Sequence, residues 1–338
     1  MTALQVIWFV LIGVLLTVYA ILDGFDLGVG IWYLFSRKDR ERRILLNSIG
    51  PVWDANEVWL LAGGGAIFAA FPHVYATVFS ALYLPLMLVV FGLILRAVSI
   101  ELRNEAPSAG LRRASDIAFA VGSIIPALLF GVAIGNLLRG LPLDTTRTFT
   151  GSFWNLLNPY ALLIGLLGLA MLATHGASYV LLKTEGDLRE RARRWMRLGW
   201  IAYLSLFLLA TVITLTTQPQ MLGNVLRAPV LWCIPLLAVA AIVLIRFFSE
   251  RAQAAKAFVS SSLSIVALMA IVGVTLFPSL VPAANDPALS LTIADSSSSN
   301  YTLTAMLIIA IAGIPLVAIY TLWAYRTFRG TVAEGDGY

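Results

Sequence analysis

Residues 5–34 read QVIWFVLIGVLLTVYAILDGFDLGVGIWYL, thirty positions in which Asp23 and Asp26 are the only charged side chains. About 20 apolar residues cross a hydrocarbon core ~30 Å thick, and only a helix or a closed barrel satisfies its backbone polar groups there. The run is continuous rather than alternating with a period of two, so it predicts a helix. The rest of the chain agrees: 59% of its 338 residues are hydrophobic, 12% are charged, and its mean hydropathy is +0.87. Soluble domains carry about 25% charged residues, so water is excluded as the main solvent. No Lys or Arg precedes the first run, and it continues past the short apolar core of a signal peptide. It is therefore expected to stay in the mature protein.

Working outward gives about nine transmembrane helices, at 5–34, 52–72, 75–102, 115–138, 157–182, 196–217, 229–248, 256–279 and 302–328. Residues 1–338 thus form one all-α integral membrane domain, with no linker, low-complexity tract or internal repeat. Cytoplasmic loops carry the excess of Lys and Arg. With the N-terminus outside, twenty basic residues fall on the inner side and Arg139, Arg147 and Arg227 on the outer side, which also makes the C-terminus cytoplasmic. The formal charge of +5 and the pI near 9.5 need no nucleic acid, because juxtamembrane basic residues meet anionic lipid headgroups. The polar, serine-rich segment 281–300 is expected over the outer face, as an ordered cap or a mobile loop.

Ionisable residues inside spans are costly and mark function by default. Asp23 and Asp26 are three residues apart in the first span, and Asp54 and Glu57 repeat that spacing in the second, which sets each pair on one helix face. Arg96 and Glu101 follow on the third. Five carboxylates and one guanidinium are thus expected at one depth, in the cytoplasmic half. Crowded carboxylates in a low dielectric cannot all be ionised, so the set can serve as a proton relay. Alternatively, Arg96 locks the helices through one carboxylate while the others reach headgroup water. Glu57 is read more readily as structural, and Asp23 and Asp26 stand between the two readings.

Other residues point to packing. Gly63, Gly64 and Gly65 are expected to permit close helix contact, and Asp116 to cap or border the fourth span. Trp8, Trp32, Trp59, Trp154, Trp195 and Trp323 are expected in interfacial belts. Trp53, beside Asp54, offers a flat wall to a quinone ring. His73 and His175 lie at opposite depths, so they cannot ligate one haem iron, and no metal site is expected. Cys233, the single cysteine, falls in an apolar span and excludes a disulfide or a covalent haem motif. These residues suit a transporter or channel, a structural subunit, or a respiratory complex equally.

The segments YAILDGFDLGVG (Tyr19–Gly30) and NSIGPVWDANEVWLLAGGGAIFAAFP (Asn47–Pro72) resemble subunit II of cytochrome bd-type quinol oxidases. FGVAIGNLL (Phe130–Leu138), WNLLNPY (Trp154–Tyr160), THGASYV (Thr174–Val180) and AFVSSSL (Ala257–Leu263) extend the similarity over nearly the whole chain. The resemblance implies two four-helix bundles plus one peripheral helix, packed on a homologous subunit I in a bacterial cytoplasmic membrane. It implies that haems b558, b595 and d belong to subunit I, where quinol is oxidised and dioxygen reduced to water, and that this chain is haem-free. It further implies a cytoplasmic proton path through Asp54 and Glu101 with Arg96 nearby, a structural quinone near Trp53 and Asp54, bound lipids, and room for small accessory subunits. Glu57 departs from the glutamine of some members, and Glu105 stands near a position that is basic in others.

Overall fold

The computed structural model describes residues 1–332; residues 333–338, which include the C-terminus expected in the cytoplasm, lie outside the described residues. Thirteen α-helices carry the fold among them. In chain order they are α1 (Ala3–Tyr33), α2 (Asp39–Ile49), α3 (Trp53–Ala70), α4 (Pro72–Ala81), α5 (Tyr83–Glu105), α6 (Ala109–Arg139) and α7 (Phe153–Leu156), then α8 (Pro159–Lys183), α9 (Gly186–Thr217), α10 (Gly223–Arg227), α11 (Cys233–Glu250), α12 (Ala254–Leu276) and α13 (Asn300–Thr327). Eight helices among the described residues are long and apolar enough to cross a membrane: α1, α5, α6, α8, α9, α11 with its short 3-10 lead-in, α12 and α13. The chain is a multi-pass, all-α membrane protein.

The expected span over 52–72 corresponds to α3, which has 18 residues and carries Asp54, Asn56 and Glu57 in its first turns. Those polar side chains keep it below the hydropathy of the other eight. The span expected over 75–102 is corrected, because it is two helices. Phe71, at φ −135° and ψ 67°, stands before Pro72, and a residue before proline is driven out of the α region. A further break at Leu82 separates α4 from α5. The expected boundary between 72 and 75 falls close to the first break, but hydropathy runs through the one at Leu82, so the pattern alone merges α4 and α5. The basic starts of α6 and α9 also extend those helices toward the N-terminus, beyond the boundaries expected from apolar residues.

Helix ends are set by local chemistry. The Thr2 hydroxyl accepts from the Gln5 amide while the Gln5 side chain accepts from the Thr2 amide. Ser108, Asn158 and Ser299 cap α6, α8 and α13 in the same way. The helices pack in two groups. α1, α3, α5 and α6 form one and α8, α9, α11 and α12 the other, with α1 and α6 lying against α8 between them and α13 lying on α1 and α3. The backbones of α1 and α8 come close at Gly28 and Gly176: a Cβ on Gly28 would fall 2.1 Å from the Leu172 carbonyl oxygen. Gly63 packs on Leu16, but Gly64 and Gly65 meet nothing within 4 Å. Of the triple glycine, only Gly63, where a Cβ would fall 2.8 Å from Leu16 Cδ2, gives the close helix contact expected.

The tryptophans also differ from expectation. Trp8, Trp32, Trp53, Trp59 and Trp195 are buried, whereas Trp154, Trp232 and Trp323 are exposed. Their polar atoms explain part of this. Trp32 Nε1 donates to the Ala173 carbonyl at 2.7 Å while its ring stacks on Trp195, and Trp8 Nε1 donates to the Leu303 carbonyl at 3.0 Å. Indoles whose N–H finds a carbonyl pack inside as readily as they line an interface. Cys233 opens α11 and falls, as expected, within the apolar span Pro229–Glu250, with its side chain exposed.

Segment 281–300 is an ordered cap. β1 (Ser279–Val281) pairs antiparallel with β2 (Leu291–Thr292), and the α6–α7 loop joins through Leu141 N–H to the Pro282 carbonyl and Arg147 to Asp295 at 2.7 Å. Gln5 Nε2 donates to Ser297 Oγ at 2.7 Å and Ser298 Oγ donates to the Ala69 carbonyl at 2.6 Å, so the cap ties the ends of α1 and α3 together.

Candidate functional site

The buried charges form a polar layer where two hydrophobic clusters meet. One cluster begins on α1 at Phe25 and continues through Trp32, Leu45 and Trp195; the other holds Trp8, Tyr19, Trp59 and the cap residues. Between them Asp23, Asp26 and Arg96 have no exposed surface. Arg96 Nη2 donates to Asp23 Oδ1 and to Glu57 Oε1, each at 2.5 Å. α1, α3 and α5 each place one member of this triad.

Asp26 takes a different partner. Asn56 Nδ2 donates to Asp26 Oδ2 at 2.8 Å, and Tyr325 OH, from α13, donates to Asn56 Oδ1 at 3.0 Å. Several buried polar atoms here lack a protein partner: Asp23 Oδ2, Asp26 Oδ1, Arg96 Nε and Nη1, and Tyr19 OH. Unpaired buried groups are costly, and a polar site with several of them suits bound water. Three carboxylates around one guanidinium leave excess negative charge for a proton to neutralise. Chemically, the layer can hold and pass protons.

The expected single cluster therefore divides. Asp23, Glu57 and Arg96 come together as expected, with Asp26 beside them. Asp54 and Glu101 do not join them; both are exposed on the outside of α3 and α5, among exposed Val58, Leu61, Phe91, Leu95, Val98 and Leu102. Glu57, read from the sequence as the more structural member, directly binds Arg96. Asn56 and Tyr325 were missed. Asn56 had a signal, an amide among apolar residues between Asp54 and Glu57, whereas Tyr325 is brought in from 269 residues away.

Asp116 is corrected from a cap to the centre of a second ion network. It lies inside α6 and is buried, receiving Arg103 Nε at 2.6 Å, Arg42 Nη1 at 2.5 Å and Tyr33 OH at 2.6 Å. Arg103 Nη2 reaches on to Asp39 Oδ1 at 2.6 Å. Burial alone would raise the Asp39 carboxyl, but hydrogen bonds from Arg103 and Arg43 outweigh it and hold the group below the usual range. This network pins α2 to α5 and α6.

The histidines are apart. His73 is exposed on α4. His175 is buried in α8 with Nδ1 3.0 Å from Ser261 Oγ and Nε2 2.9 Å from the Ile21 carbonyl, so Nε2 carries the proton and both ring nitrogens are engaged. No group of three or more His, Cys, Asp or Glu among the described residues is arranged to hold a metal. Trp53 Nε1 and Trp59 Nε1 are buried without partners. Trp59 also lines an apolar groove of about 320 Å³ between α1, α3 and α13, with Trp8, Leu15, Ala66 and Ile314.

Comparison with known proteins places this arrangement. Residues 4–328 match the family described as cytochrome bd terminal oxidase subunit II. The chain is 40% identical to the probable cytochrome oxidase subunit 2 of Haemophilus influenzae, over 97% of this chain and 94% of that one. It is 36% identical to the cytochrome bd-I ubiquinol oxidase subunit 2 of Escherichia coli K12 (98% and 96%) and 32% identical to the cytochrome bd ubiquinol oxidase subunit 2 of Bacillus subtilis (99% and 99%). Its fold matches a chain of the bd oxidase from Geobacillus thermodenitrificans with a TM-score of 0.81 at 18% identity, over 97% of this chain and 99% of that one. The helical fold, the buried charge layer and full-length similarity to relatives in three organisms lead to one assignment: the chain belongs to the cytochrome bd terminal oxidase subunit II family.

Proposed function

We propose that this chain works as subunit II of a terminal quinol oxidase in a bacterial cytoplasmic membrane, where it docks on subunit I and supplies part of the proton path from the cytoplasm to the site of dioxygen reduction. The observation that carries this reading is the charge layer. A fully buried Asp23–Arg96 pair, extended by Glu57 and Asp26 and left with unpaired polar atoms, is expensive in a membrane and has no need to exist for packing alone.

Docking on subunit I explains the outward residues. Asp54 and Glu101 lie on the exposed apolar face of α3 and α5, and carboxylates there are tolerable where a partner or water meets them. A proton path through Asp54 and Glu101 then runs along the subunit boundary, with Asp23, Asp26, Glu57 and Arg96 inside this chain. In this reading α3 is the ninth crossing helix, since 18 residues rise about 27 Å, and the basic residues set the N-terminus outside. The cofactors b558, b595 and d sit in subunit I and this chain holds none, which the engagement of both His175 nitrogens supports. A structural quinone is assigned in this reading to the neighbourhood of Trp53 and Asp54, and the support for it is the Trp53 Nε1 donor that has no protein partner. Lipids and small accessory subunits would cover the remaining apolar surface.

The test is quinol-driven oxygen consumption by the two-subunit complex carrying Asp54→Asn, with haem content checked by absorption spectrum. The expected result is a large loss of turnover with all haems retained. Full turnover would reduce this chain to a structural partner.

A further inference from the structure

A polar cavity of about 300 Å³ opens between α2, α8 and the end of α13, lined by Asn47, Ser48, Tyr179, Lys183, Tyr325 and Thr327 among others. It lies on the end of the helices that carries the basic loops, opposite the cap. Tyr325 lines it, and the Tyr325 hydroxyl donates to Asn56, which donates in turn to Asp26. Tyr179 closes the wall beside it, stacked on Phe25 at 3.9 Å and fixed by its hydroxyl to the Ser48 carbonyl at 2.8 Å. Tyr325 and Asn56 therefore stand between an open cavity and a fully buried carboxylate, and the free oxygen of that carboxylate, Asp26 Oδ1, has no partner.

We infer that this cavity is a proton inlet within the chain itself, feeding Asp26 through a gate formed by Tyr325 and Asn56. It rests on the relay proposed above and adds a second way into it, separate from the outward-facing Asp54 and Glu101. In the observed arrangement the gate is closed. An amide cannot pass a proton along, so Asn56 between Tyr325 and Asp26 interrupts the chain of hydrogen bonds. A rotation of Tyr325 breaks one hydrogen bond and lets water from the cavity reach Asp26 Oδ1. The proton then binds the carboxylate, offsets one negative charge beside Arg96, and leaves toward Asp23 and Glu57. Tyr325 and Asn56 are positioning residues here, and Asp26 is the group that accepts the proton.

The experiment uses the two-subunit complex with Cys233→Ser, which removes the exposed native thiol, and Thr327→Cys in the cavity lining. Turnover is measured before and after reaction with a bulky, permanently cationic thiosulfonate and, separately, with its methyl analogue. The inlet predicts a drop of about tenfold or more, a barrier change of about 1.4 kcal/mol, with the cationic label, and little change with the methyl label, because a methyl group leaves room for water. Complete cationic labelling with intact haems and unchanged turnover would overturn the inlet, and so would equal losses with both labels. Asp54→Asn measured in parallel keeps the two ideas apart: loss in that variant with no effect of the label removes the inlet and leaves the relay standing.

Discussion

Replacing Arg96 by glutamine isolates the energy stored in the charge layer. Arg96 and Asp23 are both fully buried, whereas the Glu57 side chain keeps 24% of its surface exposed. Removing the guanidinium strands Asp23 in a medium that cannot solvate it, and breaking a buried pair this way costs about 3–5 kcal/mol. Glu57 adds less, because it reaches the surface. At 1.36 kcal/mol per decade, the folded-to-unfolded ratio falls by roughly two to nearly four orders of magnitude. Denaturant unfolding of the purified complex in detergent, followed by tryptophan fluorescence and haem absorbance, reads the loss. Adding Asp23→Asn and Glu57→Gln removes the stranded charges, so the triple variant should recover most of the stability while its turnover stays low. Arg96→Gln alone within about 1 kcal/mol of native, a difference less than tenfold, would refute the buried pair. A triple variant no more stable than the single one would refute the account of why the pair matters.

Two further outcomes follow from packing and from the cap. Gly28→Ala sets a Cβ 2.1 Å from the Leu172 carbonyl oxygen, whereas Gly64→Ala meets nothing within 4 Å; thermal unfolding should show the first losing several kcal/mol and the second within about 0.5 kcal/mol of native. At Asp295, burial pushes the carboxyl up, but hydrogen bonds from Thr292 and Ser296 and the Arg147 charge outweigh it and hold the group below its ordinary value. A carboxylate lowered on folding contributes stability that is full above the unfolded value near 3.9 and is lost as pH falls through the folded value. The protection of loop 140–152 against hydrogen exchange, measured relative to the intrinsic rate at each pH, should therefore fall below about pH 4 in the native protein, and Asp295→Asn should flatten that dependence; an unaltered profile would discard the Arg147 clasp.

The membrane class and most spans were legible because burial in lipid demands long apolar runs, and that demand survives any packing. Helix phase was not. Lipid-facing and protein-facing surfaces are both apolar, so the i, i+3 spacing of Asp54 and Glu57 gave no hint that one faces out while the other binds Arg96. The tryptophan belt failed for the same reason, as an indole suits an interface or a core with a carbonyl in reach. Asp116 looked like a cap because α6 starts earlier than its apolar part, and Arg103 and Arg42 reach it from 13 and 74 residues away. Tyr325 lay beyond any local pattern.

The cap has a consequence for how the protein is made. Gln5 and Ser297 are hydrogen-bonded across 292 residues, and Trp8 reaches Leu303 across 295. At about 5–20 residues per second of synthesis, the first helix waits roughly 15 to 60 s for its partners at that end. During that interval α1 is held in the bilayer by its hydropathy and by the helices already made, α3, α6, α8 and α12, so the clasp of Gln5 by Ser297 is among the last joints to close, and a chain that stops before residue 297 has nothing to clasp this end of α1.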